Sequence, residues 1–201
     1  ASVLLLLDHG LGFSGSDFLK LVFLQFSVGT LFTPFIVKIA NRLGKHRMLA
    51  LGAFGSAIAL PAMSLISVES FWQISLVFAV LGFVISPIWV MPTALIADIV
   101  DYGALKGGGQ QEGLYMAFYN IVVKAALAGS IGLALPLLAF LGFDPALPNT
   151  AREIIALKGV GLWLPSAMLI PGAFLLWTYP LDARRHGLIL RQLAKRGNLG
   201  V

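Results

Sequence analysis

An all-α integral membrane bundle is the fold this sequence predicts, on three observations. Hydrophobic residues make up 58% of the 201 and charged residues only 11%, against about 25% charged in ordinary globular proteins. Several apolar runs approach or exceed about 18 residues, the length at which a helix spans a hydrocarbon core and which no soluble core requires. The basic residues fall in alternate connections between those runs, the distribution of a multi-pass membrane protein. The absence of cysteine removes disulfides, thiolate chemistry and Cys-based metal sites.

Five complete spans and one partial span are predicted. Residues 1–7, Ala-Ser-Val and then four leucines, lack an initiating Met and a basic n-region. They read as the end of a longer helix and not as a signal peptide, and predict that the chain is a fragment. The second span covers about residues 18–40 and carries Pro34. The third covers about residues 48–66, where Gly52, Gly55, Ser56 and Ala59 make a small-residue face suited to close packing. The fourth covers about residues 71–97, with Pro87 and Pro92 expected to break its regular hydrogen bonding. The fifth covers about residues 115–141, and the sixth about residues 160–179 with Pro165 and Pro171 inside. Prolines at membrane depth are tolerated where neighbouring helices or a cavity satisfy the freed carbonyls. For Pro87 and Pro92 both a packing kink and a transport hinge fit.

Orientation follows from the connections. Lys38, Arg42, Lys45 and Arg47 follow the second span, Lys106 the fourth, and Arg184, Arg185, Arg191, Lys195 and Arg196 the sixth. These connections share one side, which the positive-inside rule makes cytoplasmic, so the expected placement is the cytoplasmic membrane with a cytoplasmic C-terminus. Lys20, Arg152 and Lys158 lie opposite, with Asp8, Asp17, Glu69, Asp144 and Glu153. The same distribution accounts for the net charge of +5 without a nucleic-acid partner. Residues 181–201 form a basic tail in which Leu188, Ile189 and Leu193 can touch an anionic leaflet. A solvated tail is the plainer alternative.

Lys124 is the residue with the most to say. About 12 residues beyond Glu112, at a rise of about 1.5 Å each, it lies about 18 Å along the fifth span. That is near the middle of a core about 30 Å thick. A charge there costs at least about 2.5 kcal/mol, so it must face a partner, a cavity or a substrate path. No enzyme motif stands beside it: there is no Gly-x-Ser-x-Gly elbow, His-Glu-x-x-His helix or phosphate-binding loop. Gly107-Gly108-Gly109 follows no strand and reads as a connector.

Two motifs frame that lysine. Asn41-Arg42-Leu43-Gly44-Lys45-His46-Arg47 resembles the short cytoplasmic loop of the major facilitator superfamily, commonly Asp-Arg-x-Gly-Arg-Arg, with Asn41 where the family has an acid. Ala97-Asp98-Ile99-Val100-Asp101-Tyr102-Gly103 places two carboxylates at i and i+3, on one helix face. Alone, the acidic pair reads as a solvated helix end. Taken with Glu112 and Val122-Val123-Lys124, it resembles the glycoside-pentoside-hexuronide:cation symporter family, of which melibiose permease is a member. The similarity extends over nearly the whole chain, to Tyr179-Pro180-Leu181-Asp182.

The resemblance implies a six-helix C-terminal half-bundle of a major facilitator, its first helix truncated, spanning residues 1–201. It implies cation-coupled symport of a sugar or glycoside by alternating access, with Na⁺ or H⁺ as coupling ion and no cofactor. The implied partners are the sugar, the lipid bilayer and an N-terminal half that would hold most ion-binding carboxylates. Trp89, Tyr119, Asn120 and Lys124 are the substrate-binding residues it implies, Lys124 also taking part in cation coupling. Asp98, Asp101, Glu112, Arg42 and Arg47 would form a cytoplasmic charge network that gates the path. For Trp89 a packing or interfacial role is the alternative. Tyr119 and Asn120 stand where the melibiose permease pattern has Gln and Thr, and Gln110 replaces a basic residue, so the substrate stays open. Two other readings stand beside this one. The same fold could carry a lysolipid, with Tyr115, Phe118 and Tyr119 suited to an amphiphile. A scaffold without transport would leave Lys124 merely paired.

Overall fold

The computed structural model describes residues 14–65, 70–105, 111–144 and 150–179. The expected partial span (1–7), the basic tail (181–201), Lys106 and Gln110 lie outside the described residues. Every regular element among the described residues is helical: α1 Gly15–Leu43, α2 Lys45–Leu65, α3 Phe71–Leu105, α4 Glu112–Phe140 and α5 Ala151–Lys158. From α5 the chain runs through a π-helical turn, Gly159–Trp163, into α6, Leu164–Trp177. With Ala151–Trp177 taken as one unit, five helices are long and apolar enough to cross a membrane. In lipid a helix satisfies its own backbone groups, and long apolar segments have no other open-chain solution.

The boundaries differ instructively from the expected ones. The basic stretch after α1 is not an extended loop. It contracts to Gly44, whose φ of +102° suits glycine and whose N–H reaches the Ala40 carbonyl at 2.8 Å. α3 continues past the expected end near residue 97 to Leu105 and carries Asp98 and Asp101 within the helix, as their i, i+3 spacing predicts. The last span starts at Ala151, earlier than expected, at a capping box formed by Thr150 and Glu153. α1 opens comparably, with the Ser14 hydroxyl accepting from the Asp17 N–H at 3.3 Å.

Two apolar clusters hold the helices near their two ends. One joins Ile36 and Ala40 of α1, Met48 and Leu49 of α2, and Met91 of α3. The other joins Leu21 of α1, Met63 of α2 and Phe78 of α3 to Leu138, Leu157 and Leu162 farther along the chain. Between them α1 and α3 cross on small residues. A Cβ on Gly82 would collide with the Gln25 carbonyl, and one on Gly29 would stand 3.1 Å from the Gly82 carbonyl. The small-residue face of α2 works in the same way, with Gly52 against Pro87 and Gly55 against Val84.

Pro87 and Pro92 lie within an unbroken α3. Pro87 deprives the Phe83 carbonyl of its helical N–H, and the Ser86 hydroxyl donates to that carbonyl instead, at 2.8 Å. α4 packs quite differently. Leu138 is its one buried residue, and it meets α3 and the π turn without a long shared face.

The α1–α3 crossing generates a prediction. Gly82→Ala should force the two backbones apart and lower stability by about 1–3 kcal/mol. Thermal unfolding of the purified protein in detergent reads this as a lower Tm, and an unchanged Tm would contradict the close crossing.

Candidate functional site

The described residues place the expected site residues in three groups. The first is a groove between α1 and α3 at the crossing. It encloses about 160 Å³, with Gln25, Phe26, Thr30 and Thr33 on the α1 side and Ser86 and Trp89 on the α3 side. The Gly29–Gly82 contact brings the backbones together, so the larger residues one turn away flank the gap and form its walls. Trp89 is 63% exposed, which leaves its ring available to an occupant. The Phe26 ring braces it, with centroids 6.1 Å apart and planes tilted by 50°.

Depth places this groove in mid-membrane. Trp89 lies about 24 Å from the Leu105 end of α3, and Thr30 about 20 Å from the Leu43 end of α1. Those two ends lie on one side of the bundle, since Lys45, just past α1, reaches Asp98 on α3.

The second group is Tyr119, Asn120 and Lys124 on α4. The Tyr115 hydroxyl lies over Gly103 of α3, 3.3 Å from where a Cβ would stand. This contact brings the start of α4 against α3. Gly103 is 14 residues beyond Trp89, close to four turns, so both lie near one face of α3. Tyr119 is half-buried, and the Asn120 amide donates to the Met116 carbonyl at 2.9 Å. Lys124 is exposed and makes no ion pair among the described residues. About 18 Å into α4, it stands within roughly one turn of the depth of Trp89. It is not, however, among the residues lining the Trp89 groove.

The third group is the charged end. Lys45 Nζ lies 2.6 Å from Asp98 Oδ1 and donates to the Ala94 carbonyl at 3.3 Å. Asp98 is 7% exposed, so this carboxylate is held by α2's first residue and not by water. His46 is buried, its ring 6.2 Å from that of Tyr179. Burial pushes the Tyr179 hydroxyl above its ordinary pKa, and the Asp98 charge pushes the same way. It therefore stays neutral across the physiological range. Arg47 lies over the Trp177 ring at 5.8 Å. Arg42 is exposed in the last turn of α1, where a cation complements the helix dipole. Glu112 is exposed in the first turn of α4. Asp101 is half-buried one turn beyond Asp98.

A larger gap of about 370 Å³ separates α4 from the π turn and α6, lined by residues such as Ile131, Leu137, Val160 and Met168. Its Ser130 hydroxyl donates to the Leu127 carbonyl, so it offers little polar recognition. The Trp89 groove is the better-equipped site. Sequence reasoning missed its α1 wall. The available signal was a run of polar residues, Gln25, Thr30 and Thr33, at helical spacing around Gly29 in an otherwise apolar span.

The family model described as MFS/sugar transport protein matches residues 1–183, and the chain belongs to that family. It is 27% identical over 183 residues to the uncharacterized symporter YjmB of Bacillus subtilis, covering 90% of this chain and 37% of that protein. It is 25% identical over 189 residues to a glucuronide carrier protein homolog of Escherichia coli, covering 89% and 39% respectively. A candidate sulfoquinovose importer of the same bacterium is 32% identical over 113 residues, covering 52% and 23%. The chain thus spans well under half the length of these relatives. No solved structure matches it.

The ion pair can be tested by a double-mutant cycle. Asp98→Asn should lower stability by about 1–3 kcal/mol by leaving the Lys45 charge without its partner. Adding Lys45→Met should restore part of that loss. Strict additivity of the two losses in thermal unfolding would mean that the pair does not couple α2 to α3.

Proposed function

We propose that this chain is the C-terminal half of a twelve-helix secondary transporter that carries a sugar or glycoside with Na⁺ or H⁺. The observation that carries the reading is Lys124, an ammonium at mid-depth in a lipid-length apolar helix with no ion-pair partner among the described residues. Such a charge is retained where a substrate, an ion or a carboxylate of another element meets it. Membership of a sugar-transport family supports a transport role. The names of the relatives, a symporter and a glucuronide carrier homolog, support coupled movement of a sugar.

In this mechanism two halves rock about a midplane site, each side opening in turn. Trp89 offers an apolar face to the sugar ring and an indole N–H to a hydroxyl. Lys124 neutralises carboxylates of the other half or holds the ion's place between cycles, and Tyr119 and Asn120 flank it on α4. The Lys45–Asp98 pair, with Arg42, Arg47, Asp101 and Glu112 around it, forms the cytoplasmic latch that opens and closes with the halves. Orientation follows the positive-inside rule, with this charged end in the cytoplasm.

Uptake of a panel of radiolabelled glycosides by the full-length transporter, with and without Na⁺, tests the reading. At least one glycoside should accumulate, and Lys124→Ala should lower its coupled uptake by about ten-fold or more, a change of about 1.4 kcal/mol. Lysolipid transport without uptake of any glycoside would replace the sugar reading. Full coupled uptake by Lys124→Ala would remove Lys124 from the mechanism.

A further inference from the structure

The geometry points to Gln25 and Thr30 of α1 as the hydroxyl-binding wall of a sugar subsite whose stacking wall is Trp89 of α3. This inference rests on the sugar-transport reading and names residues of the same path that the family resemblance did not supply.

Hydrogen-bonding capacity carries the argument. Four polar side chains besides the indole line the groove, and they divide into two pairs. Thr33 donates its hydroxyl to the Gly29 carbonyl at 2.9 Å, and Ser86 donates to the Phe83 carbonyl at 2.8 Å. Those donors are spent on the helices themselves. Gln25 and Thr30 make no side-chain hydrogen bond among the described residues, and neither does the Trp89 indole N–H. The groove therefore presents an amide with two donors and an acceptor, one hydroxyl and one indole N–H.

When the two halves close over the site such groups are cut off from bulk water, and leaving them unsatisfied there is costly. An occupant must supply both donors and acceptors while also covering an aromatic face. A pyranose does both, with C–H groups for the indole and hydroxyls for the amide. A lipid acyl chain would cover Phe26 and Trp89 but leave Gln25 and Thr30 unpaired. The enclosed volume of about 160 Å³ is smaller than the roughly 300–1,000 Å³ of complete ligand sites, so the groove is one wall of a site.

The remaining residues serve this wall. Phe26 is a positioning residue, since it limits the tilt of the Trp89 indole. Gly29 and Gly82 set the distance between the two walls by letting the backbones touch.

The test uses the full-length transporter and the radiolabelled glycoside of the panel that it takes up best. Gln25→Ala and Thr30→Val should each raise KM by about five-fold or more, the effect of leaving one polar partner unmatched. Leu76→Ala, on the exposed outer face of α3, serves as the control. Deoxy analogues of the same glycoside supply a readout that a merely structural role would not move. The parent should discriminate against the analogue lacking the contacted hydroxyl, and Gln25→Ala should lose that discrimination.

A third variant covers a failure of Gln25→Ala to fold. Thr30→Cys, in a background otherwise lacking cysteine, should react with a membrane-permeant thiol reagent, and the glycoside should slow that reaction. Parent-like KM and parent-like deoxy discrimination in both α1 variants, or labelling indifferent to glycoside, would overturn this inference while uptake itself upholds the broader reading. If the parent takes up no glycoside, the broader reading falls and this one with it.

Discussion

The close crossing of α1 and α3 at Gly29 and Gly82 is the constraint on which the rest of this structure depends. Lipid supplies no hydrophobic force between helices, so association relies on fit and on hydrogen bonds. Two glycines at one crossing let the backbones approach until a Cβ on Gly82 would collide and one on Gly29 would be crowded. That contact leaves the two apolar clusters to align the helices on either side of it. It also decides where the groove can be. Side chains next to a backbone contact must splay outward, and here those side chains are Gln25, Phe26 and Trp89.

Several polar groups among the described residues find partners within the bundle. The carbonyl freed by Pro87 takes the Ser86 hydroxyl, and Asp98 takes Lys45. Lys158 reaches the Ser64 carbonyl at the end of α2, where a cation also meets the negative end of the helix dipole. The side chains of Gln25, Thr30, Trp89 and Lys124 have no such partner among the described residues. They share a depth band while belonging to three different helices. The buried Ser56 hydroxyl is a separate case: it has no hydrogen-bond partner among the described residues, and nothing in its small-residue surroundings explains it.

The spans were legible because their signal is length, and a run of about 20 apolar residues has few other uses. The small-residue face of α2 was legible for the same kind of reason, since Gly52, Gly55 and Ser56 recur at helical spacing. The start of the last span was not, because Arg152, Glu153 and Lys158 give that segment the look of a loop. Its signal was the Thr150-x-x-Glu153 capping box, a local hydrogen-bond pattern and not a hydropathy pattern. The sequence pointed to the basic stretch and Glu112 as partners of the acidic pair, but the particular partner of Asp98 was beyond it. Lys45 is one of four basic residues in that stretch, and only the contraction of the turn to Gly44 sets it at the start of α2, facing α3. The groove needed two helices at once, so the polar run on α1 had no meaning until Trp89 faced it.

α4 explains why Lys124 and Trp89 occupy one depth without touching. Its first turns meet α3 through Tyr115 and Gly103, and Leu138 near its far end joins an apolar cluster. The stretch between them has no buried residue. Lys124 is nine residues past Tyr115, about half a turn out of phase with it, so the two side chains leave α4 on opposite faces. An ammonium on an uncovered, mid-depth face is tolerable only where polar matter meets it. Sugar, ion or an opposing carboxylate would each satisfy that demand, and the Trp89 groove makes a separate demand for hydroxyls at the same level. The ammonium and the groove thus make complementary polar demands at one depth, from helix surfaces that do not touch each other.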